Sequence, residues 1–525
     1  MNLHDVLRDQ LRQRPQAIAI IEPAGRGTRS WTFAELDARA RRWAALFASR
    51  GLVKGDPVLV FHPMAGELYA VLIAAFSLGL VAVFIDPSAG REHVARCCRL
   101  LAPRAFLGTP KAHVFRLAVR ELRRIPLQFS TSRWIPGAAS IARIAADAAS
   151  VASADCAGDD PALVTFTSGS TGEPKAVVRS HGFLLAQHRV LAETFGFSAG
   201  LRDLTTLPVF LLANLASGMT SIIPDADLRR PGSIRPEAVF DQIDALAPET
   251  TGASPAFVER LCEHAERTGR TLAPLRTVYA GGAPVFPSLL LRAQRLLPEG
   301  ELVAVYGSTE AEPIAHIGAR EIGPPDLEAM GRGEGLLTGR PVPSLRFAII
   351  RDRWGQPIGP FDAASFARER LATDEIGEIV VSGDHVVRGY LHGRGEAETK
   401  FEVGSERWHR TGDLGRLDVQ GRLWLLGRCA AAIRDERGEL HPFAVECAAQ
   451  QIAGVRRAAL LLHDGARLLV VEPERGATPL PQRVSAALAW AELDRVLVVA
   501  AIPVDARHNA KVDYPQLRAE IRRLL

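Results

Sequence analysis

Hydrophobic positions in the first part of this chain alternate between short strand-like runs and longer amphipathic helical stretches. Residues 57–61 and 81–85 are apolar runs of the strand type, whereas residues 33–50 place apolar side chains at helical spacing. Alternation of this kind predicts α/β layers with largely parallel sheets. The helix over residues 33–50 is predicted to begin after Thr32 as its N-cap, because Glu35 stands at the capping-box position.

A nearly continuous apolar stretch covers residues 68–85, and it is almost long enough to cross a bilayer. Gly79 interrupts it, so the stretch predicts a buried helix followed by a buried strand over residues 80–85. The N-terminal residues include acidic side chains and no apolar core, which argues against a secretory signal. Together with six scattered cysteines that lack metal-ligand or disulfide-framework spacing, this leads us to expect a cytoplasmic protein.

The hydrophobic pattern changes after Glu375. Short alternating strands over residues 378–381 and 422–426 predict a β-rich subdomain. At 525 residues the chain is too long for a single core. We therefore predict two domains, a large one over residues 1–428 and a small α+β domain over residues 429–525.

Composition narrows the classes of partner. Hydrophobic residues at 47% and charged residues at 23% are ordinary for a soluble globular protein. A net charge of only +4 over 525 residues indicates no nucleic-acid partner. The arginine-rich run over residues 116–124 is interpreted as a solvated helix face, and peripheral membrane or multi-enzyme association is left open.

The run over residues 164–175 concentrates hydroxyl groups, two glycines and a lysine directly after a strand-like segment. Glycines allow the backbone to approach a ligand closely, hydroxyl and N–H groups donate to phosphate oxygens, and Lys175 supplies charge. The spacing is not that of a Walker loop, so the usual NTPase interpretation does not apply. The run predicts a polyphosphate-binding loop, with an ordinary polar turn as the alternative.

This loop resembles the phosphate-binding signature of the adenylate-forming superfamily, which contains acyl-CoA synthetases, peptide-synthetase adenylation domains and luciferases. One departure is Ala176, which stands where the family usually has glycine. The resemblance covers nearly the whole chain. It implies an α/β fold with a large N-terminal domain of layered α/β subdomains plus a β-rich subdomain, and a small mobile C-terminal α+β domain.

Residues 305–310 match the superfamily pattern aromatic-Gly-x-Thr-Glu. The resemblance implies that Tyr306 stacks on adenine, that the Thr309 hydroxyl meets a phosphate, and that Glu310 holds Mg²⁺ on the triphosphate. Mg²⁺ prefers hard carboxylate oxygens and usually takes only one or two from the protein. The cofactors implied are ATP and Mg²⁺, with Glu310 as the metal ligand.

Further motifs resemble the superfamily's adenine-contacting turn, its ribose-binding aspartate, its ribose-contacting arginine and its terminal catalytic lysine. That lysine would stabilise charge at the α-phosphate while the acyl-adenylate forms. The predicted catalytic residues are Lys511, Lys175, Thr309 and Glu310. The predicted ATP- and AMP-binding residues are Thr167, Ser168, Gly169, Ser170, Thr171, Gly172, Gly282, Ala283, Pro284, Tyr306, Gly307, Asp413 and Arg428.

The implied reaction is ATP-dependent adenylation of a carboxylic acid with release of pyrophosphate, and two fates of the acyl-AMP stay open. In thioester-forming members a glycine pair lies against pantetheine, whereas Glu436 and Arg437 occupy that position here. Residues 223–227 and 502–511 are similar to the β-lactone synthetases of bacterial long-chain olefin biosynthesis. That resemblance implies attack by the substrate's own 3-hydroxyl; the alternative is a ligase that forms a thioester with coenzyme A or a carrier protein.

The acyl pocket is predicted within residues 207–215 and 251–255, with plain core packing as the alternative. Its apolar character favours a fatty or 3-hydroxy fatty acid over an amino acid, because no acidic residue is present there to hold an ammonium group. His181 and His508 are candidates for the base that takes the hydroxyl proton. The predicted pocket residues are Phe210, Leu211, Asn214 and Ala253.

Overall fold

The computed structural model describes residues 2–25, 27–132, 134–144, 151–168, 174–474, 476, 480–505 and 511–524. Its contacts divide the chain into two compact units. The first comprises Met1–Asp225 and Asp384–Glu396, and the second comprises Ala226–Gly383 and Ala397–Leu525.

The helices and strands of the first unit are α1 (Leu3–Gln13), β1 (Ile18–Ala24), β2 (Gly27–Thr32), α2 (Phe33–Ser49), β3 (Pro57–Phe61), α3 (Gly66–Ser77), β4 (Val81–Phe84), α4 (Arg91–Leu101), β5 (Ala105–Gly108), α5 (Pro110–Leu117), α6 (Arg120–Arg123), β6 (Leu127–Ser130), β7 (Ala139–Ser140), β8 (Pro161–Ser168), β9 (Pro174–Ser180), α7 (His181–Phe195), β10 (Arg202–Thr205), α8 (Pro208–Ala216) and β11 (Thr220–Ile222). One sheet has the order β7-β6-β5-β3-β4-β8-β9, and all of its pairs are parallel except β8 with β9. Strands β10, β11 and β1 pair in parallel, and β2 is antiparallel to β1.

The predicted N-terminal elements are confirmed. Helix α2 begins after Thr32, whose hydroxyl accepts a hydrogen bond from the Glu35 N–H at 3.1 Å, while the Glu35 carboxylate accepts from the Thr32 N–H at 2.8 Å. The apolar stretch forms buried helix α3 followed by strand β4, and every residue of α3 except Glu67 is buried. Among the described helices, none combines the length and hydropathy needed to cross a membrane.

The helices and strands of the second unit are α9 (Pro236–Leu246), β12 (Thr250–Ala253), α10 (Pro255–Thr268), β13 (Thr277–Ala280), α11 (Pro287–Arg295), β14 (Glu301–Ser308), β15 (Ala311–Gly318), α12 (Pro324–Gly331), β16 (Leu336–Pro341), β17 (Arg346–Ile350), α13 (Ala363–Glu369), β18 (Gly377–Ser382), α14 (Glu396–Thr399), β19 (Lys400–Val403), β20 (Glu406–Leu417), β21 (Leu423–Arg428), β22 (Ile433–Asp435), β23 (Gly438–Leu440), α15 (Pro442–Ala449), β24 (Val455–His463), β25 (Ala466–Pro473), α16 (Pro481–Ala487), β26 (Arg495–Val498) and α17 (Tyr514–Leu524).

The second unit contains the predicted β-rich region. Strands β12, β13 and β14 pair in parallel, and from β14 the sheet continues antiparallel through β15, β16, β21, β20, β18 and β17. Near the C-terminus, β24, β25 and β26 form a separate sheet with α15 and α16 on one face and α17 on the other. The domain boundary after residue 428 stays a prediction.

Candidate active site

The centre of the site is the carboxylate of Asp413. Strands β20 and β21 place Asp413 opposite Arg428, and the end of β14 supplies Tyr306. The Tyr306 hydroxyl donates to Asp413 Oδ2 at 2.8 Å, and the Arg428 guanidinium lies 3.3 Å from Asp413 Oδ1. Three residues that are far apart in the sequence therefore meet around one acceptor, and each of them was predicted to bind the nucleotide.

The backbone before Asp413 belongs to an irregular part of β20 that requires glycine. Gly412 has a φ of +70°, and a Cβ placed there would lie 2.8 Å from the Trp354 ring. Thr411 donates through its hydroxyl to the Ile379 carbonyl and accepts from the Asp413 N–H at 3.1 Å. These contacts hold the Asp413 carboxylate in place before any ligand arrives.

A buried ion pair lies directly before this irregularity in β20. The side chains of Arg410 and Glu378 are fully buried, and they are joined by a hydrogen bond of 2.6 Å. The Arg410 guanidinium lies 5.4 Å from the centre of the Trp354 ring. Arg410, Glu378 and Trp354 were not predicted as site residues, although together they support the part of β20 that presents Asp413.

The charges around Asp413 act on one another. Burial, followed by the Asp413 carboxylate, raises the pKa of Tyr306 well above its usual value of 10.0, so the hydroxyl stays protonated and remains a donor. The Asp413 carboxylate is also the main reason that the pKa of Arg428 is raised, with a smaller contribution from Glu310. The Glu310 charge therefore acts on the same arginine as the Asp413 charge.

The turn between β14 and β15 carries the predicted metal ligand. The N–H groups of Glu310 and Ala311 donate to the Ser308 hydroxyl at 3.3 and 3.2 Å, and both Thr309 and Glu310 are half-buried. Within the described ranges, no group of three or more His, Cys, Asp or Glu side chains could hold a metal by itself. A single carboxylate such as Glu310 nevertheless fits Mg²⁺, because this ion completes its shell with phosphate oxygens and water.

The predicted adenine turn follows β13. Gly282 has a φ of +81°, and Gly282, Ala283 and Pro284 are half-buried. The preceding Gly281 donates its N–H to the carbonyl of Ala253 at 3.0 Å, so the buried end of β12 lies beside this turn. Ala253, predicted for the acyl pocket, is thereby a neighbour of the predicted adenine contact.

Lys175 lies at the start of β9, opposite Thr167 at the end of β8. Its ammonium group is 5.9 Å from the centre of the Tyr390 ring, and a Cβ added to Gly395 would approach it within 2.6 Å. Tyr390 and Gly395 were missed because neither belongs to a motif with a recognised phosphate role. The predicted residues Gly169, Ser170, Thr171 and Gly172 lie outside the described residues.

Lys511 is held by the backbone near the C-terminus. Its N–H donates to Asp505 Oδ1 at 2.9 Å, and the Asp505 N–H donates to the Lys511 carbonyl at 2.8 Å. Three residues later, the hydroxyl of Tyr514 donates to Glu446 Oε1 at 2.5 Å. The segment that carries Lys511 is thus connected to a buried carboxylate that sequence analysis did not find, while His508 lies outside the described residues.

The other predicted acyl-pocket residues lie on α8 in the first unit. Phe210 stacks on Phe195 at 5.9 Å, and Leu211 belongs to the apolar core. Asn214 is fully buried, and its amide donates to the side chains of Asp203, Thr205 and Ser221. A role for Phe210, Leu211 and Asn214 in binding an acyl chain stays a prediction, since these contacts also serve the core.

His181 is buried at the start of α7, where its Nδ1 accepts a hydrogen bond from the Leu3 N–H at 3.3 Å. Burial lowers the pKa of His181 to about 4, so the ring is neutral near pH 7. The ring also packs edge-on against Phe76, with 6.1 Å between the ring centres, and a role for His181 as the base stays a prediction.

The turn at residues 436–437 lies between β22 and β23. The Arg437 guanidinium donates to both carboxylate oxygens of Asp494, at 3.0 and 2.8 Å, and to the Glu492 carbonyl at 2.9 Å. Asp435, just before the turn, is paired with Arg467 at 2.6 Å, and this arginine is the main reason that the pKa of Asp435 falls to about 2. The turn is therefore anchored by ion pairs on both sides.

Comparison with known proteins agrees with this geometry. The family described as "AMP-binding enzyme" matches residues 7–391. The chain is 33% identical to the olefin beta-lactone synthetase of Stenotrophomonas maltophilia (98% of this chain, 97% of the relative) and 32% identical to that of Xanthomonas campestris (96% and 95%). It is 26% identical to the long-chain-fatty-acid–CoA ligase FadD13 of Mycobacterium tuberculosis, over 88% of this chain and 85% of the relative.

Solved structures confirm the predicted fold class. The amide bond synthetase McbA from Marinactinospora thermotolerans superposes with a TM-score of 0.82 at 23% identity, covering 99% of each chain. ATP-bound MatB from Rhodopseudomonas palustris gives a TM-score of 0.80 at 21% identity, covering 100% of each chain. At these identities the likeness concerns the fold alone.

Proposed function

We propose that this chain, which belongs to the AMP-binding enzyme family, adenylates a 3-hydroxy fatty acid and closes the product to a β-lactone. The chain is an adenylate-forming ligase, and ATP is its nucleotide substrate. The observation that supports our site assignment is that the Tyr306 hydroxyl and the Arg428 guanidinium both contact the Asp413 carboxylate. We place the protein in the cytoplasm.

In the proposed first half-reaction, Asp413 accepts hydrogen bonds from the ribose hydroxyls, and Tyr306 and Arg428 keep its carboxylate oriented. A substrate carboxylate oxygen then forms a bond to the α-phosphorus, and the bond to the pyrophosphate oxygen breaks. Lys175 and Thr309 contact phosphate oxygens, and Lys511 stabilises the charge that develops at the α-phosphorus. Glu310 would hold Mg²⁺, which supplies neutralising charge to the triphosphate when bound.

In the proposed second half-reaction, the 3-hydroxyl oxygen of the same molecule bonds to its activated carbonyl carbon. The bond to the AMP phosphate oxygen breaks and the hydroxyl proton is released, so that β-lactone and AMP leave. Intramolecular attack gains from proximity and needs no second substrate. This agrees with the turn at residues 436–437, where Arg437 is tied to Asp494 in place of a glycine that could lie against pantetheine.

The test is to incubate the protein with ATP, Mg²⁺ and either a 2-alkyl-3-hydroxy fatty acid or the same acid without its 3-hydroxyl, each with and without coenzyme A. We expect AMP and β-lactone, identified by mass spectrometry, from the hydroxy acid alone. The acid without the hydroxyl should stop at acyl-AMP. The variant Asp413→Asn, which is isosteric but lacks the charge, serves as the control for adenylation.

A thioester that forms only with coenzyme A, and no lactone without it, would overturn the lactone step. The similarity to a long-chain-fatty-acid–CoA ligase makes thioester formation the second candidate, with coenzyme A or a carrier protein as the acceptor. The variant Arg437→Gly further distinguishes lactone formation from thioester formation. If thioester formation appears in this variant and not in the wild type, Arg437 is what excludes the thiol.

A further inference from the structure

A cavity of about 510 Å³ opens on the first unit, beside the segment that contacts Lys175. It lies between α4 and the segment that follows Tyr390. The residues that line it are Arg96, Arg99, Leu100, His392 and Arg394. Three guanidinium groups and an imidazole around one space of this size give it a strongly cationic character, and the volume is typical of small-ligand sites.

The positive charge in this cavity is only partly compensated. Arg99 is paired with Glu121 at 2.5 Å. The nearest carboxylate contact of Arg96 is Glu92 at 3.9 Å, and Glu92 is 85% exposed, so that this pair contributes little in water. The Nε of Arg96 is buried and has no hydrogen-bond partner.

The rest of the lining comes from His392 and Arg394. In the part of the chain that the structure describes, Arg394 makes no hydrogen bond or ion pair, and the same holds for His392. His392 has a φ of +58°, a conformation that is rare and costly for a residue with a side chain. Leu391 packs against the apolar core on the α4 side of the sheet, which fixes the start of this segment.

The same segment reaches the predicted phosphate lysine. Tyr390 forms a β-bridge with Val177 of β9, and Gly395 lies against the Lys175 side chain. Residues 390–395 therefore contact Lys175 at both ends and line the cationic cavity between them. For an anion that leaves Lys175, this cavity is a nearby positively charged site on the same unit.

We propose that the cavity formed by Arg96, Arg99, His392 and Arg394 binds a phosphate-bearing anion. Guanidinium groups bind phosphate oxygens through paired, charge-assisted hydrogen bonds, and three of them can share the charge of a diphosphate. Pyrophosphate is the anion that the reaction supplies, an assignment that rests on the proposed function. A phospholipid headgroup has the same chemistry and is the other source to be distinguished.

Calorimetric titration of the full-length protein with inorganic pyrophosphate, without Mg²⁺ or ATP, tests the proposal. The phosphate loop also binds this anion, so the measurement is made in a Lys175→Ala background. We expect binding to remain there and to weaken by about tenfold in Lys175→Ala/Arg394→Gln, because one charge-assisted hydrogen bond is lost. Lys175→Ala/Arg189→Gln is the matched control, since Arg189 is exposed on α7, and it should bind as the background does.

Sedimentation with phosphatidylglycerol vesicles, against phosphatidylcholine vesicles, distinguishes the two sources. Retention by the anionic vesicles that Arg394→Gln abolishes and pyrophosphate displaces would assign the cavity to a headgroup. Pyrophosphate binding without vesicle retention would assign it to the free anion. Loss of all pyrophosphate binding in Lys175→Ala without vesicle retention, or equal pyrophosphate affinity with and without Arg394→Gln, would overturn the proposal. A failed proposed function would instead appear as absent ATP–pyrophosphate exchange, which this titration does not require.

Discussion

The buried carboxyl group of Glu446 leads to a quantitative prediction about pH and stability. Glu446 is 2% exposed, and its Oε1 accepts hydrogen bonds from the Tyr514 hydroxyl at 2.5 Å and from the Leu460 N–H at 3.0 Å. Burial outweighs these two donors and raises the pKa of Glu446 from 4.5 to about 7. The folded chain therefore keeps this proton at pH values where the unfolded chain has lost it.

This difference in pKa between the folded and unfolded chain sets the sign and the size of the change in the free energy of unfolding with pH. Protonation of Glu446 favours the folded state, so its contribution is complete below pH 4.5 and is lost as the pH rises through 7. Each pH unit between the two values costs the folded state about 1.4 kcal/mol, or about 3 kcal/mol in all. Since most of this loss occurs between pH 5 and pH 8, we expect a change of about 2.5 kcal/mol over that interval.

The variant Glu446→Gln isolates this contribution, because glutamine resembles the protonated acid and does not titrate. Urea unfolding at pH 5 and pH 8 should show that the stability of the variant relative to the wild type increases by about 2.5 kcal/mol between them. Glu474→Gln, a change at an exposed glutamate of the same C-terminal region, should follow the wild type at both values. If the free energies of unfolding of the wild type and Glu446→Gln change by the same amount between pH 5 and pH 8, Glu446 does not contribute as described.

Three further predictions concern the site. Tyr306→Phe keeps the ring and removes the donor to Asp413, so the KM for ATP in pyrophosphate exchange should rise by about tenfold; an unchanged KM would mean that the hydroxyl does not orient the carboxylate. Lys511→Ala should lower the rate of adenylation by about a hundredfold and leave ATP binding, measured by calorimetry, largely intact; unchanged turnover would refute the role. Glu378→Gln leaves the buried Arg410 without its counter-charge and should lower the free energy of unfolding by about 3 kcal/mol. A loss well below about 1 kcal/mol in urea unfolding would contradict the burial of this ion pair.

Local sequence signals predicted much of the fold because they act over a few residues. Thr32 and Glu35 are three positions apart, so their reciprocal capping could be inferred before the structure was known. The apolar stretch that became α3 and β4 was divided correctly at Gly79, because length and glycine limited the options. The motifs pointed to Tyr306 and Asp413 separately, and only the structure shows that the two side chains share a hydrogen bond.

The residues that were missed act through long-range pairs. Arg410 and Glu378 are 32 residues apart and both buried, and the buried Glu446 is paired with the half-buried Tyr514, 68 residues away. A single charged residue in a strand or helix is most often exposed, so nothing local distinguishes a buried arginine from a solvated one. Only the packing of Trp354 and the neighbouring strands shows why Arg410 is needed.

The arrangement around Asp413 explains how a site can be ordered in advance and still accept a ligand. A carboxylate has about four acceptor positions. Tyr306 takes one on Oδ2 and Arg428 approaches Oδ1, which leaves acceptor capacity on both oxygens. Two neighbouring hydroxyl groups, as on ribose, can fill that capacity without displacing either protein donor. Because Gly412 and Thr411 hold the backbone, the carboxylate would not need to reorient in its proposed ribose-binding role, which would leave binding energy available for contacts at the phosphates.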